Sequence, residues 1–476
     1  MFLKKLFSHT LIYALGPQIP KLASIFVLPI VTKYLTVIDY GVYGIVTSYL
    51  GLLSGFSDLG FSVVMVNSFY QYPKKWQIVW RQLFFYLQLW SFVYAIIIFP
   101  IIFFTLPAEA KPNLWMIFLL NSLPAFLFTP SITMASRYYQ YAQKPLFMSI
   151  VSAIVGVITL LLNLFTIAYL KMGYMGWFIS TFVGTLVQFL FFFYPLFFKH
   201  KLYPILRFRK HFIIPKLKIS LPIIPHNYSG YLLNVSDRVV LNTYHVPINK
   251  IGEYNLAYTY ANYFDFFGSA LGMAIGPLYN KFFVKKDKES ESTIFSITLW
   301  LQISFLLIGF GISLWSKEVF SFLFSNPDFK TLYPLAILIL MGYCYKPYYW
   351  FIISKFQFAE KTGQFWKISL VAGVLNLLLN LIFIPFYGIY ASVFATFISL
   401  MYMGFAGFFL KTYHKLNVSK QPYRPLLVIT VITALTGVAY LLRDVSLWVK
   451  IPISFISVAM FLIYSKKIKH IFYTIS

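Results

Sequence analysis

Charge is scarce in this chain of 476 residues, and acidic charge is scarcest: only 11% of residues are charged, with 13 Asp+Glu against 39 Lys+Arg. A soluble enzyme carries nearer a quarter of its residues as charge, so a soluble catalytic domain is excluded. Cysteine is almost absent. The single residue, Cys344, lies in an apolar segment, which excludes an intramolecular disulfide and a cysteine-based metal site. There is also no HExxH, no glycine-rich phosphate loop and no Cys/His cluster, so no cofactor or metal is expected beyond a coupling ion. Apolar residues fill the chain instead, at 59%, with 21% aromatics and a mean hydropathy of +0.74. At roughly 20 apolar residues per crossing, little is left over for a soluble domain. The chain reads as an all-α polytopic membrane protein.

Apolar segments long enough to cross lie near 10–35, 41–70, 79–106, 114–138, 146–170, 174–198, 217–244, 251–281, 293–316, 331–354, 365–386, 388–411, 425–442 and 447–464. The first follows MFLKKLF with no small-residue cleavage site after it, and reads as an uncleaved span. Fourteen crossings place both termini on one side. Across alternating loops the basic residues outside the spans split 28 to 8, the larger set including Lys4, Lys5, the run from Lys199 to Lys218, and Lys466, Lys467 and Lys469. Basic loops face the cytoplasm, so both termini are expected there. The net charge of +26 is therefore mainly a topology signal, with contact to anionic headgroups secondary. Nucleic acid is not an expected partner.

The chain also repeats itself. YQYAQK at Tyr139–Lys144 matches FQFAEK at Phe356–Lys361, an offset of 217 that also carries Asn163 onto Asn380. PQIPK from Pro17 matches PIIPH from Pro222, and GVYGIVTSYLGLLSGF from Gly41 matches GEYNLAYTYANYFDFF from Gly252, at offsets of 205 and 211. A six-span unit returns to its starting side, so the repeat is parallel, with its axis along the membrane normal. The expected organisation is an N-terminal six-helix lobe at 1–205, a C-terminal six-helix lobe at 206–415, and two extra helices with a basic tail at 416–476.

Six ionisable residues fall within spans: Lys21, Asp58, Asp237, Arg238, Asp265 and Lys346. Each costs roughly 2.5–3.5 kcal/mol near a helix centre. Lys21, Asp58 and Asp265 are too central to snorkel, whereas Arg238 and Lys346 lie nearer helix ends. Polar residues also fall on stripes: His226, Gly230, Asn234, Arg238 and Asn242 recur every four residues, and Tyr254, Tyr258, Asn262, Asp265 and Ser269 follow one helix face. Gln18 and Lys21 sit beside Pro17 and Pro20, which free backbone carbonyls. A central cavity lined by these faces would attract an anionic group through Lys21, Arg238, Lys346 and His226, with Asn234, Asn262 and Gln18 as polar lining. Asp58 and Asp265 are candidates for a proton or sodium relay. The blander alternative for such residues is hydrogen bonding between helices, the expectation for Asn163 and Asn380.

Three segments carry a family resemblance: LPIVTKYLTVIDYGVYGIVTSYLGLLSGFSDLGF from Leu28, SDRVVLNTYHVPINKIGEYNLAYTYAN from Ser236, and NLLLNLIFIPFYGIYASVFATFIS from Asn376. They resemble the Wzx-type polysaccharide flippases, which translocate O-antigen and capsule repeat units, of the multidrug/oligosaccharidyl-lipid/polysaccharide exporter superfamily. The resemblance implies a V-shaped pair of six-helix bundles in the bacterial cytoplasmic (inner) membrane. It implies a transporter, not an enzyme, that moves an undecaprenyl-pyrophosphate-linked oligosaccharide to the outer leaflet by alternating access, alongside a polysaccharide polymerase and chain-length machinery. It also implies a cationic cavity, a role carried here by Lys21, Arg238 and Lys346. Lipid II flippases, cation-coupled drug exporters and a membrane-embedded polymerase are the alternatives. Well inside its first two spans the chain has one lysine, Lys21, and no arginine, where lipid II flippases have more arginines.

Overall fold

A computed structural model describes residues 18–72, 74–285, 287–416 and 424–473. Among them regular structure is helical throughout, with no strand. Among the described residues, ten helices are long and apolar enough, by length and composition alone, to cross a membrane. They coincide with ten of the fourteen expected spans, from Val37–Ser54 to Pro425–Asp444. Segments corresponding to the other four are helical as well: Gln18–Val31, Ile224–Thr243, Ile248–Phe283 and Leu447–Tyr473. Ile224–Thr243 and Ile248–Phe283 are the helices that bear the polar stripes, and those residues lower their mean hydropathy.

The chain divides into two compact units, residues 1–252 and 253–476. In the first, Val37–Ser54 packs along Ile224–Thr243, and Pro145–Asn163 packs on both Tyr174–Tyr194 and Gln18–Val31. Among the described residues, one apolar core gathers around Trp80, Phe84 and Phe192 and another around Tyr94, Ile98 and Phe178. In the second unit Ile389–Phe405 packs on Val371–Tyr387 and Tyr333–Tyr343, while Lys288–Leu314 carries the last two helices. Those two are tied at one end by polar contacts: Lys450 Nζ to both Glu318 oxygens at 2.8 and 2.9 Å, Trp315 Nε1 to Ser454 at 2.8 Å, and Tyr333 to Asp444 at 2.6 Å.

The repeat is visible in backbone detail. Gln143 and Glu360, 217 residues apart, both adopt left-handed φ, at 55° and 57°. After each helix the chain closes with the same bond, Lys144 N to Tyr139 O at 3.0 Å and Lys361 N to Phe356 O at 2.8 Å. Gly173 and Gly388 precede their helices with φ 55° and ψ of −138° and −133°. Asn380 ties two helices together, its carbonyl accepting from Ser392 at 2.7 Å, whereas the Asn163 oxygen is buried without a partner.

Two glycines permit the tightest helix contact in the first unit. A Cβ on Gly41 would strike the Ile248 carbonyl, and a Cβ on Gly252 would strike the Val37 carbonyl. An offset of 211 exchanges one contact for the other, as a two-fold relation between these segments requires. Gly252→Val should therefore lower the melting temperature in detergent sharply, since forced overpacking costs about 1–3 kcal/mol or more. Gly437→Ala, where a Cβ meets open space, should leave it unchanged or slightly raised.

Candidate functional site

Four of the six intramembrane charges are neutralised where they stand. Arg238 is buried; its Nη1 donates to the Asn234 carbonyl at 2.9 Å and meets Asp237 Oδ1 at 3.2 Å. Asp237 is wholly buried and also accepts from the Arg238 backbone N–H at 3.0 Å. Neighbours in helical sequence do not ordinarily face each other, so the guanidinium reaches back along its own helix to make this pair. Asn234 donates its amide to the Gly230 carbonyl at 2.7 Å.

The second pair lies in the second unit. Lys346 Nζ meets Asp265 Oδ1 at 2.5 Å, with side chains only 14% and 16% exposed. The same ammonium sits 4.7 Å from the Tyr343 ring centroid, a cation–π distance. Tyr343 in turn donates its hydroxyl to Asn262 at 2.7 Å. Asp265, Asn262, Tyr343 and Lys346 thus form one connected polar cluster.

A break in a helix positions it. The expected span 331–354 divides into Tyr333–Tyr343 and Lys346–Phe358, because Pro347 lacks an N–H and cannot continue the ladder. The Cys344 carbonyl at the break is taken up by Gln302 Nε2 at 2.7 Å. Lys346 is the first residue of the second half-helix, so its charge adds to the positive end of that helix dipole. Half-helix N-termini within a membrane are places where anionic groups are received; the Asp265 carboxylate occupies that role here.

Asp58 has a local task. The expected span 41–70 breaks into Val37–Ser54 and Phe61–Gln71, and Asp58 Oδ1 accepts from the Gly60 N–H at 2.9 Å. Leu59 and Gly60 take left-handed φ in that turn, and the Phe56 carbonyl is satisfied by Trp90 Nε1 at 2.8 Å. A carboxylate that fastens its own turn in this way explains the break. Gln18, Lys21 and His226 lie on the helices Gln18–Val31 and Ile224–Thr243, but their side chains are outside the described residues. Sequence reasoning did not single out Tyr343 or Gln302 for this site. The Lys346–Pro347 step, a helix breaker beside a charge, was the signal that could have drawn attention to both.

A family model described as "Polysaccharide biosynthesis protein" matches residues 6–283, more than half of the chain. The chain belongs to the polysaccharide biosynthesis protein family. No curated protein sequence matches this family member. Solved structures share its fold at low identity. An inward-facing MATE multidrug resistance transporter of the MOP superfamily matches 90% of this chain and 99% of its own, at 14% identity and a TM-score of 0.64. The lipid II flippase MurJ in an inward closed conformation matches 98% and 97%, at 16% and 0.56. A mutant of the Vibrio cholerae MATE transporter VcmN matches 89% and 98%, at 13% and 0.56. The fold of this polysaccharide biosynthesis protein is that of the MOP-superfamily transporters, and it is a multi-pass membrane protein.

The pair makes a stability test. Removing one partner of a buried ion pair leaves an uncompensated charge and costs roughly 3–5 kcal/mol, whereas replacing both by apolar groups is often close to neutral. Asp265→Asn and Lys346→Met should each lower the melting temperature in detergent. The double variant should melt above both. A double variant that melts at the sum of the two losses would show that the groups do not interact.

Proposed function

We propose that this protein is a flippase of the Wzx type. It moves an undecaprenyl-pyrophosphate-linked oligosaccharide repeat unit, destined for O-antigen, capsule or another surface glycan, from the cytoplasmic to the outer leaflet. The family supports a role in polysaccharide assembly, and the transporter fold supports movement over catalysis. One observation carries the chemistry: Lys346 stands at the N-terminus of a broken intramembrane helix, held by a single carboxylate. A diphosphate presents more negative charge to that ammonium and that helix end than Asp265 does.

The exchange sets how an ion would couple. When a diphosphate takes Lys346, Asp265 is left without its counter-charge in a medium of low dielectric constant. It then needs a proton or a sodium ion in place of the ammonium. Lys21, Arg238, His226, Gln18 and Asn234 remain assigned to the transport path, Asp58 to ion coupling, and a polysaccharide polymerase to the next step outside. The reading keeps both termini on the cytoplasmic side of the inner membrane, as the 28 to 8 division of basic residues implies. A lipid II substrate is the second reading, because the similarity to the lipid II flippase extends over 98% of this chain, the last two helices included.

Deletion of the gene in its native strain, with extraction of lipid-linked sugars and assignment of their leaflet, tests both. The expected result is a complete, unpolymerised undecaprenyl-linked repeat unit on the cytoplasmic side. Accumulated lipid II would favour the second reading, and a unit that still reaches the outer leaflet would refute the first. Complementation with Lys346→Ala or Lys21→Ala should fail to restore surface glycan while the protein remains in the membrane.

A further inference from the structure

Carrying the ion pair of the second unit back through the repeat lands on a cavity in the first. At the offset of 211 that relates Gly41 to Gly252, Asp265 corresponds to Ser54. At the offset of 217, Lys346 corresponds to Thr129. Both residues open helices of 13 residues, Thr129–Tyr141 and Lys346–Phe358, and each is followed by proline. The preceding segment departs from regular α-helix in both copies, here through a π-helical turn at Pro124–Phe128 that frees the Phe126 carbonyl opposite Pro130. Where the second unit has its charged pair, the first has two small hydroxyl residues and a chamber of about 260 Å³ lined by both.

The chamber's polarity has a definite sense. Ser54 donates to Gly51 O at 2.6 Å, Ser57 to Ser54 O at 2.7 Å, Ser91 to Gln88 O at 2.8 Å, Thr129 to Pro124 O at 3.0 Å and Thr185 to Thr181 O at 2.8 Å. Asn121 uses an amide hydrogen on Ile117 O at 2.7 Å. These five hydroxyl protons are spent on helix carbonyls, so Ser54, Ser57, Ser91, Thr129 and Thr185 have oxygen lone pairs left to offer, while Thr133, Tyr94 and the second Asn121 amide hydrogen can still donate. A fitting occupant therefore carries several hydrogen-bond donors and an acceptor or two, as a sugar's hydroxyls do. The lining holds no carboxylate, which disfavours a bare metal cation, since a desolvated charge needs a compensating one. At roughly 30 Å³ per water molecule the volume suits a single pyranose ring, whose hydroxyls donate outward while its C–H face lies on an aromatic such as Tyr94, which also lines the chamber.

We infer that this chamber is a neutral-sugar site, which recognises the hydroxyls of one pyranose of the translocated glycan. Resting on the flippase reading above, it divides recognition between the copies of the repeat: anion at the Lys346 break, uncharged sugar at the Thr129 break. The test is titration of the full-length protein in lipid nanodiscs with farnesyl diphosphate and with farnesyl-diphospho-N-acetylglucosamine. The wild-type protein should bind the sugar-bearing lipid several-fold more tightly. Ser91→Ala and the near-isosteric Thr129→Val should each remove roughly threefold to tenfold of that increment, the worth of a hydrogen bond. Their affinity for farnesyl diphosphate should not change. Lys346→Ala should weaken both ligands alike, which verifies that the assay reads the anion site. An undiminished sugar increment in the chamber variants, or no increment in the wild type, overturns the assignment of the chamber alone. Stoichiometric sodium binding lost in Thr129→Val replaces the sugar with a cation. Failure of both lipids to bind the wild type overturns the flippase reading beneath it.

Discussion

An ionised group inside a bilayer has to be matched where it stands, because neither water nor a long screening distance is available to it. That requirement organises the interior of this protein. Asp237 with Arg238 and Asp265 with Lys346 each bring their charge to zero within one compact unit. Near one end of the second unit, Lys450 with Glu318 does the same while anchoring the last helix. A pair of this kind contributes little net stability, since desolvation offsets most of its Coulomb attraction. In the flippase reading proposed above, a competing anion reaches these charges only by exchange with the carboxylate that holds them.

Helix breaks are the second organising element, and they follow from the same medium. In hydrocarbon a freed carbonyl must find a donor inside the protein. Gln302 supplies one for Cys344, Trp90 one for Phe56, and Gln88 with Ser91 one for Phe126. Each break thereby concentrates polar atoms at membrane depth, and the two units place such a concentration at corresponding positions of the repeat. One copy uses it for a charged pair, the other for a cluster of hydroxyls. The backbone architecture is shared while the chemistry differs, as a duplicated scaffold allows once each copy is free to change its side chains.

Much of this was legible in the chain itself. Hydropathy located the helices, because a span must be apolar over its length whatever it packs against. The repeat was readable from YQYAQK and FQFAEK, and the structure gives the reason those segments match: both close a helix through a left-handed residue, Gln143 or Glu360, with the same backbone bond. The breaks at 55–60 and 344–345 were not read, because a strongly apolar window masks a turn whose signals are one Asx residue or one proline.

What the sequence determined by itself was therefore one-dimensional: which segments are helical, that the chain is a membrane protein, that it is built twice, and which charges need an explanation. Composition and periodicity are properties of consecutive residues, so they survive without a fold. Which charge neutralises which was decided only by tertiary structure. Asp265 and Lys346 are 81 residues apart, and nothing local joins them until the helix Ile248–Phe283 lies beside the break at Pro347. The same holds for the chamber at Thr129, whose lining comes from four separated stretches of chain that share a space only after packing.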